Sequence, residues 1–156
     1  MKPVILFLFT VTMLFLSDIS FAQTPPQLPK NYHSWQKSSR KVVTDKSSLF
    51  YGIHYMYADK KAMQGYRAGN KFAEGSTIVV DFFNIKQDPA IDGPKNMVAL
   101  MRKDKRAKQT GGWIFAGYGA DGKPSGIDPV STCFGCHQKD ASERDFVIST
   151  LKDYQK

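Results

Sequence analysis

Cys133-Phe134-Gly135-Cys136-His137 sets two thiols three residues apart and an imidazole directly after the second. In this spacing each thiol can add across one vinyl group of a haem. The next residue can then put its imidazole under the iron, which is the pattern of covalent c-type attachment. One covalent haem c is the cofactor this stretch points to, with Cys133 and Cys136 as anchors and His137 as the metal ligand. The chain has no third cysteine. Three other chemistries fit part of the motif. A redox dithiol expects a βαβ context, whereas a loop rich in Gly, Pro and Asp precedes Cys133. A closed zinc site needs four N or S ligands, typically as two spaced pairs, and the soft ligands here are two cysteines and three histidines. A disulfide across two intervening residues is tightly strained.

The residues ahead of the motif place it in an exported protein. Met1-Lys2-Pro3 leads into an apolar run from Val4 to Leu16, broken by Thr10 and Thr12, and Ser20-Phe21-Ala22 follows. A basic start, an apolar core and a small-x-small site make a secretory signal peptide, 1–22, cleaved after Ala22. The run is short for a membrane anchor, since a spanning helix needs about 20 apolar residues. Export to a periplasm or its equivalent agrees with the haem, because bacterial c-type maturation happens outside the inner membrane. Residues 23–156 then form a single domain, long enough for a core, with nothing that reads as membrane-embedded. The net charge is +8. Its densest cluster, Arg102-Lys103-Asp104-Lys105-Arg106-Ala107-Lys108, is either a solvated turn or a docking face for an acidic redox partner. An exported protein leaves no role for nucleic acid.

The elements that must position the motif come from periodicity. Asn31 to Lys41 suggests a short helix with Tyr32 and Trp35 on one face and His33 exposed. Phe50 to Tyr57 alternates as a strand. Asp59 caps a helix through Arg67. Thr77 to Ile85 is β-branched and aromatic, a strand with Ile78, Val80 and Phe82 on one face and Thr77, Val79, Asp81 and Phe83 on the other. Met97–Arg102 and Trp113–Tyr118 read as two further strands. A long loop leads to the motif, which opens a helix, and Asp145 begins a last short helix through Tyr154. The fold class is α+β: mainly antiparallel β-sheet, three or four strands, with short flanking helices and the haem near the C-terminus.

Only 19 residues follow His137 and none is methionine. A methionine ligand would have to come from Met56, Met63, Met97 or Met101, each set in an apolar pattern that reads as core. His54 can face a haem from its strand, against the plainer reading of a hydrogen-bonded core histidine.

Leu28-Pro29-Lys30-Asn31-Tyr32, Ile53 to Tyr57, Tyr66 to Gly69, Phe72-Ala73-Glu74-Gly75-Ser76, Met101 to Asp104, Thr110 to Trp113, the haem motif and Asp145-Phe146-Val147 follow one another in the order seen in the cytochrome P-460 family. The chain resembles that family, which includes the cytochromes c′-β, over most of residues 23–156. The resemblance implies an antiparallel β fold that forms homodimers. It also implies a haem held by His137 with its opposite face free, and small nitrogen species as ligands. One branch oxidises hydroxylamine with its haem cross-linked to a lysine; the c′-β branch binds nitric oxide in an apolar pocket. Counted five residues past Gly75, the cross-linking position is Val80, which has no nucleophilic nitrogen, and neither Lys71 nor Lys86 substitutes. If Val80 faces the haem, Ile78 and Phe82 share that side as an apolar distal wall. Phe82 would then cap the pocket, with ordinary core as its competing role. Asp128 is a candidate distal acid, against turn chemistry before Pro129. The resemblance, with no lysine at position 80, implies a mono-haem cytochrome that binds nitric oxide or a related species without the cross-link. A hydroxylamine or nitric oxide oxidoreductase and a six-coordinate electron carrier stand as alternatives.

Overall fold

The computed structural model describes residues 25–48, 50–88 and 90–155. The leader expected over 1–22 lies outside them, as does Pro89. In chain order the elements are β1 (Gln36–Lys37), β2 (Lys41–Val43), β3 (Gly52–Ala58), α1 (Lys60–Arg67), β4 (Thr77–Ile85), β5 (Asp92–Lys103), β6 (Trp113–Gly119) and α2 (Gly135–Ala141). The strands form one antiparallel sheet of six, ordered β1-β3-β4-β5-β6, with β2 also on the outer side of β3. This is the expected α+β architecture with more strands.

Three differences from the sequence expectation have physical causes. The helix expected over 31–41 is a single 3-10 turn, Tyr32–Ser34, followed by β1 and β2. Edge pairing wins there: Ser38 N–H donates to Met56 O at 2.8 Å and Ser38 Oγ accepts from Met56 N–H at 3.0 Å. The third expected strand starts five residues earlier, as β5 at Asp92. Pro94 is tolerated because β6 pairs no further back than Met97, so no ladder bond there needs its missing N–H. The helix expected over 145–154 is absent. Asp145 and Phe146 take left-handed backbone (φ 52° and 61°), and a 3-10 turn at Leu151–Tyr154 follows. The β-branched run Val147-Ile148 and Thr150 favours the extended stretch between them.

The sheet has a core on each face. Tyr32, Tyr57, Val79, Val98, Leu100, Ala116 and Tyr118 pack on one face, under the N-terminal lead. On the other, Ala58, Ile78, Met101, Trp113 and Phe115 meet Ala62, Met63 and Tyr66 of α1 together with Cys133, Phe134, Val147 and Tyr154. Asp59 caps α1 by accepting from Ala62 N–H at 2.7 Å, a bond typical of an N-cap carboxylate. The motif therefore lies on the second face, at the β6 side of the sheet.

Candidate functional site

The motif begins in a π-helical turn, Val130–Phe134, and continues into α2. Asp128 fastens the start of this turn. Its carboxylate accepts from Val130 N–H (3.2 Å) and Ser131 N–H (3.1 Å), and Ser131 together with those amides holds its pKa below the usual carboxylate range. Asp128 is exposed and occupied with turn chemistry. Cys133 is buried and Cys136 exposed, both with free thiols. Burial pushes the Cys133 thiol up to about 11, with Cys136 and Asp128 adding to the shift. A thiol that stays protonated is a poor redox nucleophile. Among the described residues no three His, Cys, Asp or Glu side chains cluster to hold a metal, and a closed zinc site needs four ligands.

His137 is positioned from two sides. Its Nδ1–H donates to the backbone carbonyl of Phe146 at 2.7 Å, which leaves the Nε2 lone pair free. Its ring stands edge-on to Phe115 of β6, with centroids 4.8 Å apart. Burial lowers the His137 pKa, with the Phe146 bond acting against the shift. The imidazole is held as the neutral tautomer that a metal ligand requires.

The Phe146 carbonyl is aimed by a strained corner. Two consecutive non-glycine residues with positive φ cost on the order of 1–3 kcal/mol each, and Asp tolerates this region far better than Phe. Several contacts hold the corner. Trp113 Nε1–H donates to Asp145 O at 2.8 Å, and Lys103 Nζ meets Asp145 Oδ1 at 2.5 Å. The Phe146 ring packs on Phe134 at 5.4 Å and presses against Gly111, where a Cβ would lie 2.2 Å from the ring. Phe115, Phe146, Trp113 and Lys103 were not singled out from sequence for this site. Trp113 and Phe115, two apart on one strand, share a face by the pleat, and that was the signal available.

The register places Val80 on this same face. Val80 pairs with Ala99, Ala99 and Met101 alternate to one side of β5, and Met101 pairs with Phe115. Ile78 and Phe82 follow Val80 onto that side. Ile78 is buried in the core beside Met101 and Phe115. Phe82 is buried too, stacked on Phe50 at 5.6 Å and edge-on to His54 at 4.5 Å. His54 donates Nε2–H to Phe50 O at 2.6 Å, and burial lowers its pKa. Between these groups, Met56, Val80, Met97 and Ala99 stay only half-buried in the middle of the sheet, while Val79 and Val98 on the opposite side are fully buried. Met63 and Met101 are packed in the core. An uncovered apolar floor next to an imidazole with a free Nε2 fits a flat apolar macrocycle that carries a metal.

The opposite face carries a polar cluster not foreseen from sequence. Asp81, 1% exposed, accepts from Tyr32 OH at 2.7 Å, contacts His33 Nε2 at 2.9 Å and lies 3.7 Å from Lys95 Nζ. His33, expected to be exposed, keeps half of its side chain in solvent while tying the N-terminal lead to β4. In the basic cluster, Arg106 pairs with Asp104, whose pKa it lowers to about 2; Lys105 and Lys108 remain exposed.

No helix among the described residues is long and apolar enough to cross a membrane. The model of one protein family, Cytochrome P460, matches residues 29–149. No curated protein matches the chain.

Proposed function

We propose, because this chain belongs to the cytochrome P460 family and is therefore a haem protein of the P-460 type, that it is an exported mono-haem c-type cytochrome whose open distal site binds nitric oxide or a related small nitrogen species. Each motif thiol adds its sulfur and its hydrogen across one vinyl group, so Cys133 and Cys136 hold the macrocycle by two thioether bonds. Haem iron, when bound, supplies an open coordination position for a small ligand and the electron that changes its charge. His137 would offer Nε2 to the metal, while the Phe146 carbonyl accepts the hydrogen bond from Nδ1–H and keeps the ring from turning. Met56, Val80, Met97 and Ala99 form the apolar floor, and Phe82 bounds it at the His54 end. These side chains offer no proton and exclude water, which favours a neutral diatomic over a charged ligand.

The observation that carries this reading is the free Nε2 of His137 standing on the face that leaves its apolar floor half-uncovered. The proposal leaves out a cross-link because β4, Thr77-Ile78-Val79-Val80-Asp81-Phe82-Phe83-Asn84-Ile85, contains no lysine. Hydroxylamine oxidation by way of that bond is accordingly the second reading. A homodimer and an acidic redox partner meeting Lys105 and Lys108 complete the proposal.

Intact-mass spectrometry of the exported protein tests the attachment. The expected mass is that of a chain starting at Gln23 plus one haem. A haem-free mass, with haem released by denaturation, would overturn covalent attachment.

A further inference from the structure

We propose that Lys103 is a positioning residue for His137: by clamping Asp145 it holds the left-handed corner that points the Phe146 carbonyl at Nδ1, and so sets how strongly His137 donates through Nε2. The inference rests on the reading of His137 as the iron ligand and deepens it.

The geometry runs in one chain of contacts. Lys103 ends β5 and forms the last pair of the β5–β6 ladder, with Trp113. Its ammonium lies 2.5 Å from Asp145 Oδ1, 3.4 Å from Gly111 O and 5.0 Å from the centroid of the Trp113 ring, with only 17% of the side chain exposed. Trp113 in turn holds the Asp145 carbonyl. One residue therefore grips Asp145 by its carboxylate and another by its backbone. The next residue, Phe146, with φ of 61°, has its own N–H donating to Ala141 O at 2.8 Å and its carbonyl on His137. A left-handed phenylalanine is unfavourable in itself; its N–H bond to Ala141 and its ring packing hold the turn closed, and the clamp on its neighbour fixes the direction in which that carbonyl points. A carbonyl in line with Nδ1–H raises the basicity of the ligand and strengthens its bond to a metal.

The test uses the haem-loaded protein and reads two properties other than activity: the iron–histidine stretching band of the ferrous form by resonance Raman, and the reduction potential. Lys103→Met is expected to move the band to lower frequency and to raise the potential, because a less basic ligand stabilises ferric iron less. Lys103→Arg, which can still pair with Asp145, is expected to restore both toward the wild-type values. Loss of a cation by charge alone would lower the potential, so the sign separates positioning from simple electrostatics. An unchanged band, or a fall in potential, in Lys103→Met would overturn the proposal. Should that variant not fold, Asp145→Asn decides by the band alone, since Asn keeps the left-handed backbone but not the ion pair: a downshift supports the clamp and an unmoved band overturns it. A wild-type protein with no such band, whose spectrum is indifferent to His137→Ala, would instead refute the ligand assignment on which the inference rests.

Discussion

Gly111→Ala measures how firmly the Phe146 corner is locked. Gly111 has φ of 64°, and an added Cβ would meet three Phe146 ring atoms at 2.2, 2.4 and 2.8 Å. Two costs follow. Left-handed backbone costs an alanine about 1–2 kcal/mol. Forcing a methyl into a packed contact costs a further ~1–3 kcal/mol, because the ring is backed by Phe134 and cannot swing away freely. The total is roughly 2–5 kcal/mol, which for a domain of this size lowers Tm by roughly 8–20 °C. Gly126→Ala is the internal control. Its φ is 70°, but nothing lies within 4 Å of the added Cβ, so only the backbone cost remains, about 1–2 kcal/mol or roughly 4–8 °C. Thermal unfolding followed by far-UV circular dichroism, on both variants under one buffer, gives the comparison. A Gly111→Ala protein no less stable than Gly126→Ala would refute the claim that Phe146 is fixed by close packing. The aim of its carbonyl would then rest on the grip on Asp145 and the Ala141 bond without the ring packing.

Other substitutions address the remaining parts of the site. Val80→Lys puts an amine on the face of Phe115, and the ferrous spectrum is expected to change through contact or cross-linking with the haem; a wild-type spectrum would mean that position 80 points elsewhere. Replacing both Cys133 and Cys136 by serine is expected to make the haem fully extractable with acidified acetone, and haem retained by the double variant would contradict thioether attachment. His54 has its folded pKa depressed below 6.5 by burial. Its contribution to stability is therefore present above about 6.5 and is lost as pH falls through the lower folded value. His54→Gln should flatten the decline in Tm between neutral pH and pH 5, and an unaltered decline would remove His54 from the account. Asp128→Ala should lower Tm slightly by freeing the amides of Val130 and Ser131, with ligand-binding rates unchanged by stopped flow; a slowed rate would return Asp128 to the distal chemistry.

How much of this was legible depended on whether the determinant was local. The haem motif is a five-residue word, and β4 is a run of β-branched and aromatic residues, so both were readable with their boundaries. Asp59 as the cap of α1 was equally local. The face that Val80 shares with His137 was not, because the pleat fixes which residues of β4 alternate but not which side the motif occupies; that needed the pairing of β4, β5 and β6. Asp145 and Phe146 read as the start of a helix because the forces acting on them come from Lys103, Gly111 and Trp113, more than 30 residues away. His33 is exposed, as its polar stretch suggests, but its bond to Asp81, 48 residues on, was not readable locally. At the corner, contacts distant in sequence overrode a local preference; at His33 a distant bond was added to an exposed side chain.

The central claim is a haem held by Cys133, Cys136 and His137, with no lysine cross-link and no protein ligand on its far side. Optical spectra of the matured protein, ferric, ferrous and ferrous with nitric oxide, test it most directly. The account predicts an ordinary five-coordinate high-spin ferrous spectrum that changes promptly on adding nitric oxide. A broad, strongly red-shifted ferrous Soret band would show a cross-link despite Val80, and a sharp six-coordinate low-spin spectrum indifferent to nitric oxide would show a closed iron; either would contradict it.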